Sequence, residues 1–251
     1  MPRAEHPAPG VAEHYDRHLG PVYSWMVGDF AAACQSTAEY FDAIDLRPFS
    51  TRVAVDLGCA HGLQAIPLAR RGYAVTAIDT CRHLLDTLST HADGLPIKAV
   101  HDDLRNFAGH VEGPVDAIVC MGDTLTHLAT MDEVVALLVA VSARLAPGGT
   151  FCASFRDYSA ALVGPSRFIP VRSDDERICT CFLEFDSQTV HVYDMLYDRK
   201  PGGWTMSVSS YDKLRLSPGW VIDAAGACGL ELRHEAKSRG MLHFAFEHRA
   251  A

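Results

Sequence analysis

No apolar run in this chain of 251 residues is long enough to cross a bilayer; the longest, Val134 to Val141, reads as part of an amphipathic helix. The opening segment, MPRAEHPAPG, has none of the apolar character of a secretion signal, so a polar tail on a cytoplasmic protein is expected. Basic residues are outnumbered by acidic ones. The resulting net charge of −9 argues against a surface that scans nucleic acid, though not against a local basic pocket. The eight cysteines include no C-x-x-C pair, and several sit inside apolar strands, so buried reduced thiols are expected. Cys179 and Cys181 share one face of a strand, roughly 6.5 Å apart, a poor geometry for bridging each other. No second cluster supports a soft-metal site there, and no metal is expected. Internal repeats, low-complexity tracts and flexible linkers are also absent.

What is present is organised around residues 52–79, RVAVDLGCAHGLQAIPLARRGYAVTAID. An apolar run through Val53 and Val55 ends in Asp56. Gly58 and Gly62 bracket a tight turn, and Leu63, Ile66 and Leu68 have helical spacing. Tyr73 to Ile78 is a second β-rich run, closed by Asp79. This is a βαβ unit. Glycines at the end of a strand let backbone N–H groups approach a nucleotide, and an acid ending the next strand can grip ribose hydroxyls. The dinucleotide pattern G-x-G-x-x-G is missing, because Ala60 stands at its middle position. D-L-G-x-x-x-G followed by Asp79 resembles the first two motifs of class I S-adenosylmethionine (SAM) methyltransferases, which makes SAM the expected cofactor. The alternative is an ordinary doubly wound turn with a solvated Asp79.

Residues 11–46 carry aromatic and apolar residues that suit two helices, broken near Gly20-Pro21 and near Gly28. Such a segment could cover the cofactor as a lid or simply pack on the sheet edge. After the βαβ unit, Leu84 and Leu85 mark a short helix and Pro96 to Val100 a third strand. Val115 to Met121 reads as a fourth strand. Thr130 and Glu133 form a capping box for the following helix, and Pro147-Gly148-Gly149 leads into a fifth strand, Thr150 to Phe155. Three stretches then alternate with period two: Ile178 to Phe185, Val190 to Tyr197 and Trp204 to Leu216. A helix over Ser217 to Cys228 and two short strands complete the pattern. The expected fold is α/β: a Rossmann-like, seven-stranded, mostly parallel sheet with a three-stranded antiparallel insert between the fifth strand and the last helix. The expected division is a helical lid over 1–46 and a SAM-binding domain over 47–251, with the insert at about 156–216.

Further stretches resemble the glycine and sarcosine N-methyltransferases over most of residues 23–230. Cys120-Met121-Gly122-Asp123-Thr124-Leu125-Thr126-His127-Leu128 is similar to that family's C-L-G-N-S-F-A-H-L. Arg156-Asp157-Tyr158 resembles its R-N-Y, Lys213 to Ser217 its K-F-R-L-S, and Trp25, Gly28-Asp29 and Thr37 to Tyr40 its W, G-D and T-A-E-Y. The resemblance implies a ligand set. Trp25 and the Ala60 backbone contact the methionine end of SAM, within the turn formed by Asp56, Gly58 and Gly62. Asp79 meets the ribose, and Asp103 and Leu104 the adenine. Met121 and His127 lie beside the amino-acid part. Arg156 holds a substrate carboxylate, with Tyr158 and Tyr211 also on the substrate side. Two departures stand out: Asp123 replaces a substrate-facing Asn, and Ser36 replaces a SAM-gripping Arg.

The expected reaction is methyl transfer to a small-molecule acceptor, the amine of an amino acid or related metabolite. O- or S-methylation of a natural-product or metabolite scaffold and a non-catalytic SAM-binding role are the alternatives. A neutral amine needs no strong base, whereas a hydroxyl needs a base or a metal. Asp123 suits the first case by orienting an amine, and His127 could be the base in the second. His127 could equally be a cofactor contact, and Asp123 and Arg156 could pair with each other. The remaining arginines of the 156–177 segment are expected to pair with the acids interleaved among them. Neither nucleic acid nor membrane is an expected partner, and a homo-oligomer is left open.

Overall fold

Residues 10–238 and 240–249 are described here in a computed structural model; apart from Gly10, the expected polar tail lies outside them. Five strands, β1 (Val53–Leu57), β2 (Ala74–Asp79), β3 (Ile97–His101), β4 (Val115–Cys120) and β5 (Leu145–Phe155), run parallel to one another. A second, antiparallel sheet follows: β6 (Phe168–Ser173), β7 (Arg177–Phe185), β8 (Thr189–Lys200) and β9 (Gly203–Leu214). The chain then returns to the first sheet through β10 (Leu230–Ser238) and β11 (Met241–His248). The seven-stranded order is β10-β11-β5-β4-β1-β2-β3, with β11 antiparallel to both of its neighbours.

Strands with both faces covered read as nearly continuous apolar runs. Val55, Leu57, Ile118 and Cys120 point into one core layer, whereas Ala54, Ala117 and Val119 point into the other. The first layer packs on α6 (Met131–Arg144) and α7 (Pro218–Ala227). The second packs on α3 (Phe30–Ala43), α4 (Ala65–Arg70) and α5 (Arg82–His91). Half of the capping box forms: the Glu133 amide donates to Thr130 Oγ1 at 3.1 Å, while Glu133 Oε2 accepts from the amide of Ala129, one residue before the cap, at 2.9 Å. All eight cysteines are free, and six of them are buried.

Three expectations change. The antiparallel insert has four strands, not three. β6 escapes a period-two search because all six of its residues are exposed, and Pro170 and a bulge before Arg172 interrupt its pairing. The chain does not break at Gly20-Pro21: α1 (Val11–His14), a π-type turn (Tyr15–Leu19) and α2 (Gly20–Val27) follow without interruption. Pro21 falls in the first turn after the π-type turn, where its missing N–H costs little. A Cβ on Gly20 would lie 2.6 Å from the Tyr15 carbonyl and 2.9 Å from Cys81 Sγ, so the glycine permits close packing there. Finally, β5 begins at Leu145, before the Pro-Gly-Gly segment, which loops out between the Val115–Leu145 and Ala117–Thr150 pairs.

At the amino end of β4, Asp116 fixes the loop leading into β1. Its carboxylate accepts from the amides of Phe49, Ser50, Thr51 and Arg52 at 2.8–3.0 Å, and from Thr51 Oγ1 at 3.0 Å. Burial alone would raise its pKa, and the four amides more than reverse that. Asp116→Ala is expected to cost about 1.5–3 kcal/mol in urea unfolding at neutral pH. Because the folded pKa is depressed, this contribution is present above the unfolded value of about 3.9 and disappears as the pH falls below it. Wild type and variant should therefore converge in stability in acid.

Candidate active site

The turn after β1 is shaped by close approach. A Cβ on Gly58, at φ +71°, would collide with the Thr124 side chain, and one on Gly62, at φ +103°, with Leu88. Between them Ala60 also takes a left-handed conformation, φ +44°, and its amide donates to Asp79 Oδ2 at 2.8 Å. Asp79 Oδ1 accepts from the Cys81 amide at 2.8 Å. Burial raises the Asp79 pKa, and these amides oppose the rise. Asp56, fully buried at the end of β1, is pushed up to about 8 by burial and then by Asp79. The Ala65 amide opposes the shift slightly, but neither Asp56 oxygen closes a hydrogen bond.

The carboxyl ends of the parallel strands open into a cavity of about 540 Å³. Gly58, Ala60, Asp79, Asp103, Leu104, Met121 and His127 all line it. At one end, Asp102 accepts from Asn106 Nδ2 at 2.9 Å and then from His110 Nε2 at 2.6 Å, which draw its pKa down to about 2. Asp103 is gripped by Arg105, whose Nη2 and Nε lie at 2.7 and 2.9 Å. Leu104 opens a short 3₁₀ turn, so its amide has no partner within the helix. At the other end the insert supplies Thr189, Asp212, Lys213 and Leu214, while the N-terminal segment supplies Gly10 to Ala12, Tyr15 and Tyr23.

Trp25 is not at the cavity. Its Nε1 donates to Asp174 at 2.5 Å, and the guanidinium groups of Arg172 and Arg177 lie 5.5 and 5.2 Å from its ring, so it fastens α2 to the β6–β7 hairpin. Asp123 and Arg156, expected to face an acceptor, instead face each other. Asp123 is 2% exposed, with φ +74°. Its carboxylate accepts from the Arg156 amide and Nη1, both at 2.6 Å, and from Lys213 Nζ at 2.9 Å. Burial raises its pKa, but Lys213 and Arg156 win and hold it far below the usual carboxylate range. With every oxygen engaged, Asp123 presents no free base.

His127 borders the cavity, with its ring 5.7 Å from Tyr15 and 5.5 Å from Tyr211. Its Nε2 is buried without a partner. Burial, followed by the Lys213 charge, lowers its pKa to about 3, so the ring is neutral and basic only in the hydrogen-bonding sense. Tyr211 neighbours His127 and lies tilted against the His14 ring, with centroids 4.4 Å apart. Tyr158 packs with Leu183, Val190, Val192 and Tyr211 in the core of the insert.

Residues 54–149 match the family described as a methyltransferase domain. That segment carries a methyltransferase domain. Beyond this match, a cypemycin N-terminal methyltransferase from a Streptomyces species is 32% identical over 103 residues, 41% of either chain. A ubiquinone biosynthesis O-methyltransferase from Caulobacter vibrioides is 35% identical over 104 residues, 41% of this chain and 40% of its own. The aligned stretch thus spans about two fifths of these curated relatives. Among solved structures, the CcbJ methyltransferase of Streptomyces caelestis has a TM-score of 0.75 at 21% identity, covering 94% of this chain and 98% of its own. The SAM-bound amino pentose methyltransferase CalS10 of Micromonospora echinaspora has 0.69 at 18%, covering 92% and 97%.

The methyltransferase domain has the donor set that SAM needs. Asp79 ends β2, a helix-start amide with no partner inside its own 3₁₀ turn follows β3, and an orphaned buried carboxylate, Asp56, lies behind the glycine turn. Sequence reasoning missed Tyr15 and Tyr23, because no period distinguishes a cavity-facing aromatic from a packed one. It also missed the role of Lys213, although its place on the inward register of β9, opposite Val190, was a usable signal. The buried clasp of His14 on Asp194 Oδ2 (2.9 Å) and Ser209 Oγ (2.8 Å) left no mark in the sequence.

Asp123→Asn leaves Lys213, 6% exposed, without a countercharge. The expected loss is about 3–5 kcal/mol in denaturant unfolding, part of it recovered by adding Lys213→Met. The folded pKa of Asp123 is depressed, so its contribution is complete above about pH 4 and fades as the pH falls toward the folded value.

Proposed function

We propose that the chain is a SAM-dependent N-methyltransferase acting on the amine of a small molecule, an amino acid or related metabolite. The observation that carries this reading is the character of the cavity: Asp79, Asp102, Asp103, Glu133 and Asp212 line it against Arg105 and Lys213, while His127 stays neutral with a free Nε2. An acidic lining favours a cationic sulfonium and a basic acceptor. A hydroxyl acceptor calls for a base titrating near the working pH, and a histidine held at about 3 is poorly matched to that task. A glycine/sarcosine N-methyltransferase from Aphanothece halophytica, 25% identical over 128 residues, is named for a nitrogen acceptor, the cypemycin enzyme for an N-terminus and CalS10 for an amino pentose. The ubiquinone relatives favour the second reading, O-methylation.

SAM supplies an activated methyl group when bound. The chain's residues orient and dehydrate. Asp79 retains lone pairs for ribose hydroxyls, the Leu104 amide can meet an adenine ring nitrogen, and the left-handed turn at Ala60 receives the methionine end. Arg105 restrains Asp103, which leaves the amide as the freer adenine contact. His127 Nε2 can accept an N–H from the acceptor and so align the nitrogen lone pair with the methyl group. We assign the described part of the expected lid, residues 10–46, that role. Tyr15 and Tyr23 wall the cavity, and His14, His18 and Trp25 fasten the segment to the insert through Asp194 and Asp174.

Calorimetry of Asp79→Ala, checked separately for folding, is expected to show SAM binding weakened by about 1.5–3 kcal/mol. Unchanged affinity rejects the ribose assignment. A panel of amines, amino acids and phenols, scored by S-adenosylhomocysteine release, should give turnover with amines; turnover of phenols alone would favour the second reading. For an amine acceptor, kcat/KM should rise with the unprotonated fraction of the amine and show no histidine inflection near pH 6.5. An inflection there that His127→Gln abolished would contradict a neutral His127.

A further inference from the structure

A second cavity, of about 530 Å³, lies at the amino end of β1, whereas the glycine turn follows its carboxyl end. The end of α3, the connector from Asp45 to Arg52, and Arg71 just after α4 form its walls. The connector is a firm wall, because Asp116 holds the amides from Phe49 to Arg52. Among the described residues, four that are not glycine have a left-handed backbone. Ala60 and Asp123 belong to the active site. The other two, Asp45 at φ +52° and Arg52 at φ +59°, both border this second cavity. Such strained positions collect at ligand sites.

Charge distinguishes the cavity from the rest of an acidic chain. Arg47, Arg52 and Arg71 face it against Asp42 and Asp45, an excess of one positive charge in a chain of net charge −9. The three guanidinium groups are unequally engaged. Arg47 Nε donates to Asp45 at 2.6 Å. Arg71 is fixed through one nitrogen: Nη2 donates to the Ala38 carbonyl at 2.5 Å and to Asp42. Its Nε and Nη1 have no hydrogen-bond partner among the described residues. The Arg52 guanidinium has none either, and its Nη2 would lie 3.3 Å from a Cβ on Gly72, the residue after Arg71. Beside these cations, Pro48 and the Phe49 ring, 56% exposed, form an apolar bank.

We infer that this cavity is a second ligand site, for a phosphate monoester carried on a flat ring. Arg52 and Arg71 offer planar forks from separate walls, which suits the three terminal oxygens of a phosphate; a carboxylate would fill only one fork. The ring of the ester lies on Phe49 and Pro48. Asp42 and the Ala38 carbonyl already hold Arg71 in place, so little side-chain ordering opposes binding.

Isothermal calorimetry of the whole chain with phenyl phosphate tests the site, with and without saturating S-adenosylhomocysteine. The expected Kd is about 1 mM or tighter, equal in both conditions, and weaker at high salt. Arg52→Gln and Phe49→Ser should each weaken binding by about tenfold or more, with circular dichroism unchanged. Each residue meets Asp116 through its backbone amide, which these substitutions keep. If Arg52→Gln fails to fold, Phe49→Ser decides. Inorganic phosphate should bind about tenfold more weakly or worse; equal affinity means an adventitious ion only and overturns the proposal. Displacement by S-adenosylhomocysteine also overturns it, because the probe would then occupy the first cavity. So does an affinity that the variants leave unchanged, or no binding at about 10 mM.

Discussion

Lys213 stands in the interior at the end of β9, and an ammonium group cannot remain there without a countercharge and hydrogen bonds. Asp123 supplies both, and it also takes the amide and guanidinium of Arg156. These three residues come from the ends of three strands, β4, β5 and β9, the last of them in the other sheet. The carboxylate therefore sets the insert at a fixed height above the carboxyl ends of the parallel strands. The cavity is the space that this spacing leaves. Lys213 lines it, and its charge is one cause of the low pKa of the neighbouring His127. The same ion cluster thus separates the sheets and tunes the site between them.

The N-terminal segment depends on that arrangement. His14 reaches Asp194 and Ser209 on the inward face of β8 and β9, and Trp25 reaches the β6–β7 hairpin. Between these two fastenings, Tyr15 and Tyr23 hang over the glycine turn and His127. A segment tied to the insert at both ends follows the insert when it moves. Access to the cavity is in this sense a property of the pair of elements, with each held by side chains remote from the glycine turn.

The parallel half of the fold was legible because its signals are local and redundant. Val53 to Asp79 combines strand, glycine turn, helix and acid in register, and the capping box at Thr130 and Glu133 fixes the start of α6. The insert was legible only where one face is buried, so β7, β8 and β9 alternate, while β6 has no buried face and carries Pro170. Gly20-Pro21 misled for a related reason. The residues that usually break a helix also suit the first turn after a π-type turn, and the hydrogen-bond register that decides between these outcomes is not written locally. Within the site, residues placed by backbone position, such as Gly58, Ala60 and Asp79, line the cavity. Trp25, Asp123 and Arg156 do not, because the partners of a long or charged side chain are chosen by elements far away in sequence. Asp123 lies 90 residues from Lys213, and Trp25 lies 149 from Asp174.

The buried cysteines have a consequence beyond packing. Cys59, Cys120 and Cys152 are fully enclosed in the two core layers, and burial raises each thiol far above its solution value. Only a thiolate exposed to solvent reacts appreciably with a disulfide reagent or alkylating agent. Modification therefore waits for an opening of the surrounding structure, and its rate measures the free energy of that opening. These thiols flank the glycine turn and the central strands, so they act as built-in probes distributed through the sheet. Each can report how far its own stretch opens when the cavity is filled.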